Sequence, residues 1–204
     1  MDDFLNHKDK LTGVILAGGR ATRMGGLDKG LILLNNKPMV EYVIAALRPQ
    51  VGQLLISANR HLEHYAQLGD CPVFGDTFGH YDGPLAGMAT ALAKAETDYI
   101  LFVPCDSPRL SPEIAKRLYT GLRESDAEAS VAYDGQRIHP IFSLLKRRLL
   151  NELLSYLESG ERSIQGFLRL TQLIEVDFSD SLDTFLNINT HEALSMEFSS
   201  TFQL

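Results

Sequence analysis

Residues 12–17 read TGVILA, and they overlap and continue into residues 16–29, LAGGRATRMGGLDK. The first stretch is short, apolar and uncharged, which is typical of a strand buried in a parallel sheet. The second contains four glycines, two arginines and a lysine. Glycine reaches backbone conformations closed to other residues and presents N–H groups to a ligand without a side chain in the way. This order predicts an α/β fold with an anion-binding loop after its first strand.

The rest of the chain alternates short apolar runs with longer amphipathic ones, as βαβ units do. Strands are predicted at residues 54–57, 71–74, 99–103, 129–133, 141–145 and 173–176, with a short extended piece at 31–34. Helices are predicted at residues 39–47, 85–95, 146–158, 164–170 and 190–196. Another helix is predicted to begin with Ser111 as N-cap and Pro112 at its first position. We therefore expect one domain, residues 1–204, with a mostly parallel central sheet in a Rossmann-like three-layer α/β sandwich.

Composition limits the class of protein. The 19 basic and 26 acidic residues give a net charge of −7, which argues against non-specific nucleic-acid binding. Cys71 and Cys105 show no metal-binding spacing, and nothing suggests a disulfide framework. No apolar run approaches the roughly 18 residues of a membrane helix, and the first ten residues have no apolar signal core. We expect a cytoplasmic protein.

The glycine-rich loop fits neither of two common phosphate-binding patterns. Gly25 and Gly26 are followed by Leu27, so the P-loop pattern fails, and the spacing differs from the G-x-G-x-x-G fingerprint. A flexible surface loop is the alternative. The glycines directly after a buried strand, with Arg23 and Lys29 beside them, favour polyphosphate binding because a transferring phosphoryl group needs positive charge there.

Several segments resemble the MobA-like nucleotidyltransferases. Residues 16–29 are similar to that family's N-terminal signature, LAGG-x(3)-RMG followed by D-K, and residues 83–87 (GPLAG) and 105–108 (CDSP) resemble two later segments. Residues 137–140, 159–162 and 176–190 resemble the branch that transfers GMP to the molybdenum cofactor. The resemblance covers nearly the whole chain. It implies a fold of nucleotidyltransferase type whose N-terminal half binds nucleotide and whose C-terminal half binds molybdopterin.

The resemblance also implies a set of site residues. Those expected to bind GTP are Leu16, Ala17, Gly18, Gly19, Lys29, Ser57, Asn59, Asp76, Gly83 and Asp106. Arg23, Lys29 and Asp106 are implied to be catalytic, with Asp106 as the Mg²⁺ ligand, and Asn187 and Asn189 to contact molybdopterin. One departure concerns base contacts: where the family often has N-A-N-R, this chain has Ser57 in the first position, and its hydroxyl reaches less far than a carboxamide.

Some of these residues have ordinary structural alternatives. Asp106 follows the predicted strand 99–103, where a carboxylate can bind Mg²⁺ or begin an Asp-Ser-Pro turn. Asn189 or Thr190 could be the N-cap of the last helix. His139 is as consistent with a structural role as with a substrate contact. His61 and His64 have no third metal ligand nearby in sequence and fit a solvated helix face.

The implied reaction is in-line attack by a phosphate oxygen of Mo-molybdopterin on the α-phosphorus of GTP, with Mg²⁺ as cofactor and pyrophosphate leaving. We expect transient contact with proteins that deliver molybdopterin and mature molybdoenzymes, and no nucleic-acid or membrane partner. The alternatives are a molybdopterin cytidylyltransferase, a sugar-phosphate nucleotidyltransferase and a non-catalytic nucleotide-binding adapter. We expect no nucleophilic role for Cys105, because the sequence shows no matching base.

Overall fold

A computed structural model of the chain describes residues 4, 7–18, 28–78 and 83–186. The strands in this part are β1 (Leu11–Leu16), β2 (Leu33–Leu34), β3 (Lys37–Pro38), β4 (Gln53–Ser57), β5 (Val73–Phe74), β6 (Tyr99–Pro104), β7 (Ala129–Tyr133), β8 (Ile138–Lys146) and β9 (Leu173–Asp177). The α-helices are α1 (Met39–Leu47), α2 (Leu62–Gly69), α3 (Pro84–Lys94), α4 (Ile114–Glu124), α5 (Leu150–Glu158) and α6 (Ile164–Leu168). Short 3-10 helices include Lys29–Leu31 and Leu182–Phe185.

Seven of these strands form one sheet in the order β5-β4-β1-β6-β8-β7-β9, and β2 and β3 form a small hairpin. Strands β5, β4, β1 and β6 are parallel, β8 is antiparallel to both β6 and β7, and β9 is parallel to β7. The mostly parallel sheet that the sequence predicts is therefore confirmed. Strands β4 and β5 extend the sheet on one side of β1, and β6 pairs with β1 on the other. The strand order therefore reverses beside β1, which is where such folds bind ligands beyond the strand ends.

Helices cover both faces of the sheet. On β6, Leu101 and Val103 pack into a core with α1, α2 and α4, whereas Ile100 and Phe102 pack into a second core with α3, α5 and α6. Successive strand side chains point to opposite faces, so a strand buried on both faces is apolar throughout. The continuous apolar runs of β1 and β6 follow from this arrangement, and the predicted three layers are confirmed.

Most predicted elements lie within two residues of the observed ones. The exceptions are in the second half of the described chain. Strand β8 begins at Ile138 rather than 141, because Ile138 and His139 already pair with β7. The prediction missed this start because Pro140 breaks the apolar pattern. The predicted helix 146–158 begins as the 3-10 turn Arg147–Leu149 and becomes α5 at Leu150. Residues 190–196, the predicted last helix, lie outside the described residues.

The predicted start of α4 is wrong. Ser111 does not cap the helix: its hydroxyl accepts a hydrogen bond from the Glu113 amide at 3.2 Å in a turn, and the helix begins at Ile114. The buried side chain of Gln50 takes the capping role, since its Oε1 accepts from the Ala115 amide at 3.0 Å. Its Nε2 donates to the Ser111 carbonyl at 3.1 Å. A distant residue therefore satisfies the first-turn amide that a local Ser would otherwise take.

Within the described ranges, no helix is long and apolar enough to span a bilayer. Cys71 and Cys105 are both free thiols.

Substituting Gln50 with Leu is expected to lower the free energy of unfolding by about 1–3 kcal/mol, because it leaves the Ala115 amide and the Ser111 carbonyl without this buried partner. Denaturant unfolding of Gln50→Leu would measure the loss. The matched control is Gln67→Leu on the exposed face of α2, expected to stay within about 0.5 kcal/mol of the wild type. An equal change in both variants would contradict the capping role.

Candidate active site

The parallel strands end together at one edge of the sheet, hereafter the carboxyl edge. The last residues of β1, β4 and β6, which are Leu16, Ser57 and Pro104, lie side by side in register. The segments that follow these strands remain hydrogen-bonded to one another for one more residue. The Ala17 amide donates to the Ser57 carbonyl at 2.7 Å, and the Cys105 amide donates to the Leu16 carbonyl at 3.2 Å. The segments that carry the predicted site residues therefore start from one rigid line of backbone.

Lys29 and Asp106 meet at this edge although they are far apart in sequence. Lys29 Nζ lies 3.3 Å from Asp106 Oδ2, and the two side chains are 36% and 9% exposed, respectively. A buried carboxylate is costly without a cationic or hydrogen-bonding partner. The pair places one fixed anion and one partly exposed cation beside the end of β1, and a phosphate group arriving there can contact the ammonium.

Asn59 and Asp76 form a reciprocal pair. Asn59 Nδ2 donates to Asp76 Oδ2 at 2.7 Å, and the Asp76 amide donates to Asn59 Oδ1 at 2.9 Å. Both ends of the carboxamide are thus engaged in holding Asp76 between the ends of β4 and β5. The sequence placed both residues at the nucleotide site; the structure adds that Asn59 orients Asp76.

Two glycines let these groups approach each other. A Cβ on Gly87, in the first turns of α3, would lie 2.7 Å from Ser57 Oγ and 3.2 Å from Asp76 Oδ1. A Cβ on Gly18 would lie 3.3 Å from Asn59 Nδ2. Gly83 differs, since its φ of +101° demands glycine while no heavy atom lies within 4 Å of a Cβ built there. Side chains larger than hydrogen at Gly18 and Gly87 would push the polar groups of the edge apart.

Some predicted site residues lie outside the described part of the chain: Gly19, Arg23, Asn187 and Asn189. Their assignments stay predictions. The thiol of Cys105 is buried, and burial raises its pKa above the ordinary value, which agrees with the expectation that it is not a nucleophile.

The donor set at the edge bears on which metal could bind. In the part of the chain that the structure describes, no three or more His, Cys, Asp or Glu side chains form a metal-binding group. A zinc site needs three or four such ligands. Mg²⁺ commonly takes one or two carboxylates and fills its other positions with water and substrate phosphate oxygens. The lone carboxylate of Asp106 at the strand end therefore fits Mg²⁺ bound together with a nucleotide.

Sequence reasoning missed two residues beneath Lys29. The carboxylate of Asp28 is buried and accepts a hydrogen bond from the hydroxyl of Tyr65, a fully buried residue of α2. The D-K pair of the signature drew attention to Lys29 alone. An acidic residue in a segment that approaches a buried strand end is a signal for such a buried polar pair. The partner of Asp28 could not be identified from the sequence, because it lies 37 positions away.

A second group of residues is built on the β7–β8 hairpin. Asp134 Oδ2 lies 2.7 Å from His139 Nε2, and the His139 ring stacks on Phe185 at 3.9 Å with an angle of 6° between the planes. These contacts tie the hairpin to the turn Leu182–Phe185, which precedes residues 187–190. The described contacts give His139 a structural role here. Beside the hairpin is a cavity of about 610 Å³ whose lining includes Arg137 and Arg169.

Two segments of the C-terminal half that the sequence singled out are held by structural contacts. In residues 176–180, Phe178 is fully buried and the Arg117 guanidinium lies 4.1 Å from its ring centre, while Asp180 accepts from Arg117 at 2.8 Å. In residues 159–162, Arg162 donates to the Leu157 carbonyl at 2.8 Å near the end of α5. Cationic groups are favourable at a helix C-terminus.

The mostly parallel sheet, the glycine-rich segment after β1 and the Lys29–Asp106 pair define the class as an α/β nucleotidyltransferase fold. Solved structures share it. The chain is similar to molybdopterin-guanine dinucleotide biosynthesis protein A from Archaeoglobus fulgidus, with a TM-score of 0.78, 21% identity and coverage of 94% of this chain and 100% of that one. It is also similar in fold to 4-diphosphocytidyl-2C-methyl-D-erythritol synthase from Anaerococcus prevotii, with a TM-score of 0.75, 11% identity and full coverage of both chains.

Residues 13–176 match the model of the MobA-like NTP transferase domain. Two relatives carry the name molybdenum cofactor guanylyltransferase. The one from Vibrio vulnificus is 47% identical over 182 residues, covering 89% of this chain and 92% of the relative. The one from Shewanella loihica is 44% identical over 183 residues, covering 90% and 93%. The chain belongs to the MobA-like NTP transferase family, which confirms the resemblance found in the sequence.

The Asp134–His139 contact predicts a pH dependence of stability. The Arg137 amide, then the His139 ring and the Gln136 amide, lower the pKa of Asp134 from 3.8 to about 2. A lowered folded-state pKa stabilises the protein above the unfolded pKa, and this stabilisation is lost as pH falls through the folded one. The wild type should therefore be more stable than Asp134→Asn above pH 4, and the difference should shrink between pH 4 and pH 2.

Denaturation midpoints of both proteins, measured from pH 5 to pH 2, would test this. The side-chain amide keeps an oxygen acceptor for the Gln136 and Arg137 amides, while its NH2 group replaces the oxygen that faces His139. The comparison therefore removes the charge together with that contact. A difference that stays constant or grows as pH falls would contradict the assignment.

Proposed function

We propose that the protein is a Mg²⁺-dependent guanylyltransferase that transfers GMP from GTP to the terminal phosphate of Mo-molybdopterin. The products are molybdopterin guanine dinucleotide and pyrophosphate. Family membership and the names of the two relatives support this activity. The geometric observation that carries it is the Lys29–Asp106 pair at the carboxyl edge, with a Nζ to Oδ2 distance of 3.3 Å. It joins one phosphate-binding cation and one metal-binding carboxylate in a single place.

The nucleotide half of the site is proposed to begin at the end of β1. The Ala17 amide is engaged by the Ser57 carbonyl, so within residues 16–19 the backbone amides of Gly18 and Gly19, together with Arg23 and Lys29, would neutralise the triphosphate and the leaving pyrophosphate. Oriented amides and positive side chains stabilise charge that builds up during phosphoryl transfer. Ser57, Asn59, Asp76 and Gly83 complete the nucleotide contacts. In this proposal Asp76 offers an acceptor to the nucleotide, since Asn59 fixes the orientation of its carboxylate.

The metal is assigned to Asp106. When bound there, Mg²⁺ would supply Lewis-acid stabilisation of the phosphate charge. The protein's own contribution is positional. The buried Asp106 carboxylate is fixed at the end of β6, and Lys29, paired with it, would contact the triphosphate from a defined position.

The transfer needs no side-chain base. A phosphate monoester has its second pKa near 6, so the attacking oxygen is ionised at neutral pH. The new bond joins that oxygen to the α-phosphorus of GTP, and the bond to the bridging oxygen of pyrophosphate breaks with its electron pair leaving on pyrophosphate. Lys29 and Arg23 offset the negative charge that accumulates on the departing group.

The acceptor half is proposed to lie beyond β8. Mo-molybdopterin would bind in the cavity beside the β7–β8 hairpin, whose lining includes Arg137 and Arg169. It would also contact Asn187 and Asn189. We also propose that the reaction takes place in the cytoplasm. Proteins that deliver molybdopterin and mature molybdoenzymes would make transient contact with this half.

Asp106→Ala is expected to abolish GMP transfer at saturating Mg²⁺, and the isosteric Asp106→Asn to reduce it nearly as far. Lys29→Ala should lower kcat by about 10²–10³-fold, as loss of one transition-state charge contact does. The measurement is formation of the guanine dinucleotide from GTP and purified Mo-molybdopterin. Lys10→Ala is the control, because Lys10 is exposed and precedes β1 at the opposite edge of the sheet. Undiminished activity of Asp106→Ala would remove Asp106 from the mechanism.

The same assay with CTP or ATP in place of GTP tests the nucleotide. Dinucleotide formation only with GTP is the expected result. Preference for CTP would instead identify a cytidylyltransferase, and transfer to a sugar phosphate but not to molybdopterin would identify a different acceptor. Binding of nucleotide without transfer to any acceptor would identify a non-catalytic adapter.

A further inference from the structure

A buried hydroxyl lies next to the turn that carries Lys29. Tyr65 is on the inner face of α2 and is fully buried, and its hydroxyl donates a hydrogen bond to Asp28 Oδ1. Packing alone would be satisfied by phenylalanine at this position, since the ring faces the core with α1 and the strands. A buried tyrosine oxygen requires a hydrogen-bond partner. The partner here is the residue that immediately precedes Lys29.

Asp28 anchors the turn that carries Lys29. Its carbonyl accepts from the Leu31 amide at 3.0 Å, which opens the 3-10 turn Lys29–Leu31. Asp28 as a whole is only 9% exposed, and a buried carboxylate is destabilising unless it accepts hydrogen bonds. The Tyr65 hydroxyl therefore fixes the start of this turn against the body of the protein, one residue before Lys29.

Gly30 fixes the other side of Lys29. A Cβ on Gly30 would lie 2.5 Å from the Tyr65 oxygen, 3.1 Å from Cys105 Cβ and 3.2 Å from Cys105 Sγ. The backbone of the turn is thus pressed between Tyr65 and the residue before Asp106. Burial raises the pKa of Tyr65 above its ordinary value, and the hydrogen bond to Asp28 acts in the same direction. The phenol stays protonated and acts as a donor.

We propose that Tyr65 is a positioning residue for catalysis: through Asp28 and Gly30 it holds the Lys29 turn at the distance from Asp106 that nucleotide transfer needs. Tyr65 does not touch the substrate. It acts through Lys29, which lies 3.3 Å from Asp106, and the inference rests on the proposed function. Asp28 cannot shift without breaking a buried hydrogen bond, and Gly30 lies close against Tyr65 and Cys105. The backbone that carries the Lys29 side chain is therefore preorganised.

Tyr65→Phe tests this with the removal of one oxygen. The expected result is a fall of at least tenfold in kcat for GMP transfer, with the KM for GTP changed much less. The melting temperature should fall by a few degrees, because the buried Asp28 carboxylate loses a hydrogen bond, so kcat is compared well below the unfolding transition. The matched control is Tyr119→Phe. Tyr119 is also buried, but it packs edge-on against Tyr99 with ring centres 5.2 Å apart, at the beginning of β6 and away from the carboxyl edge. A wild-type kcat for Tyr65→Phe would overturn the proposal.

A double-mutant cycle separates positioning from a general structural role. If Tyr65 acts through Lys29, then Tyr65→Phe should cause no further loss in a Lys29→Ala background. A similar fold-loss in both backgrounds would overturn the proposal, because the hydroxyl would then act independently of Lys29. Gly30→Ala keeps the hydroxyl but displaces the turn, so it should lower kcat in the wild type and again have little effect in Lys29→Ala.

A measurement without catalysis keeps this inference distinct from the proposed function. Acetylation of lysines by N-hydroxysuccinimidyl acetate, without nucleotide, can be followed residue by residue by mass spectrometry. The rate at Lys29 relative to exposed Lys10 should rise severalfold in Tyr65→Phe, as it should in Asp106→Asn, which breaks the ion pair directly. An unchanged ratio in Tyr65→Phe would overturn the positioning role. A wild type that transfers no GMP would overturn only the proposed function, and the labelling ratio would still decide the role of Tyr65.

Discussion

The parallel pairing of β1 with β6 is the constraint on which the site depends. Their register ends with Leu16 opposite Pro104, so the segments that follow the two strands leave the sheet side by side. Lys29 comes from the segment after β1 and Asp106 from the first residues after β6. A slip of one residue would turn every side chain of the moved strand to the other face, and both helix-covered cores oppose such a slip. The packing of side chains on both faces of these two strands therefore fixes the points from which the Lys29 and Asp106 segments leave the sheet.

Polar contacts between successive loops then hold the edge in place. Asn59 links the segment after β4 to Asp76 after β5, and the Thr90 hydroxyl of α3 accepts from the Thr77 amide at 3.0 Å. Tyr65 of α2 plays the same part for Asp28. The Tyr65–Asp28 hydrogen bond is buried, and a buried polar group that lost its partner would cost about 1–3 kcal/mol. The Asn59–Asp76 bonds are exposed and resist movement of their loops less strongly. Within the described residues, the loops of the site bond to one another as well as to the strands that carry them.

Most of the elements that were predicted correctly from the sequence depend on local residue patterns. The apolar runs of β1 and β6 and the helix Met39–Leu47 depend on neighbouring residues, and they were predictable. The start of α4 was not, because Gln50 caps it from a distant part of the chain. The partner of Asp28 was missed for the same reason. Candidate site residues could be named from family signatures, but which of them contact one another depends on the strand order, and no single segment encodes that order.

Strand β8 has a consequence for how the two substrates can meet. It runs opposite to β6 and β7 and lies between them, so the ends of those two strands are two strand spacings apart, about 9.6 Å. Backbone hydrogen bonds set that width, and side chains have little influence on it. In the proposed reaction, the donor and acceptor sites are therefore held at a constant separation while their linings remain free to change. Such a scaffold can exchange one phosphate-bearing acceptor for another in evolution without rebuilding the part that holds the triphosphate.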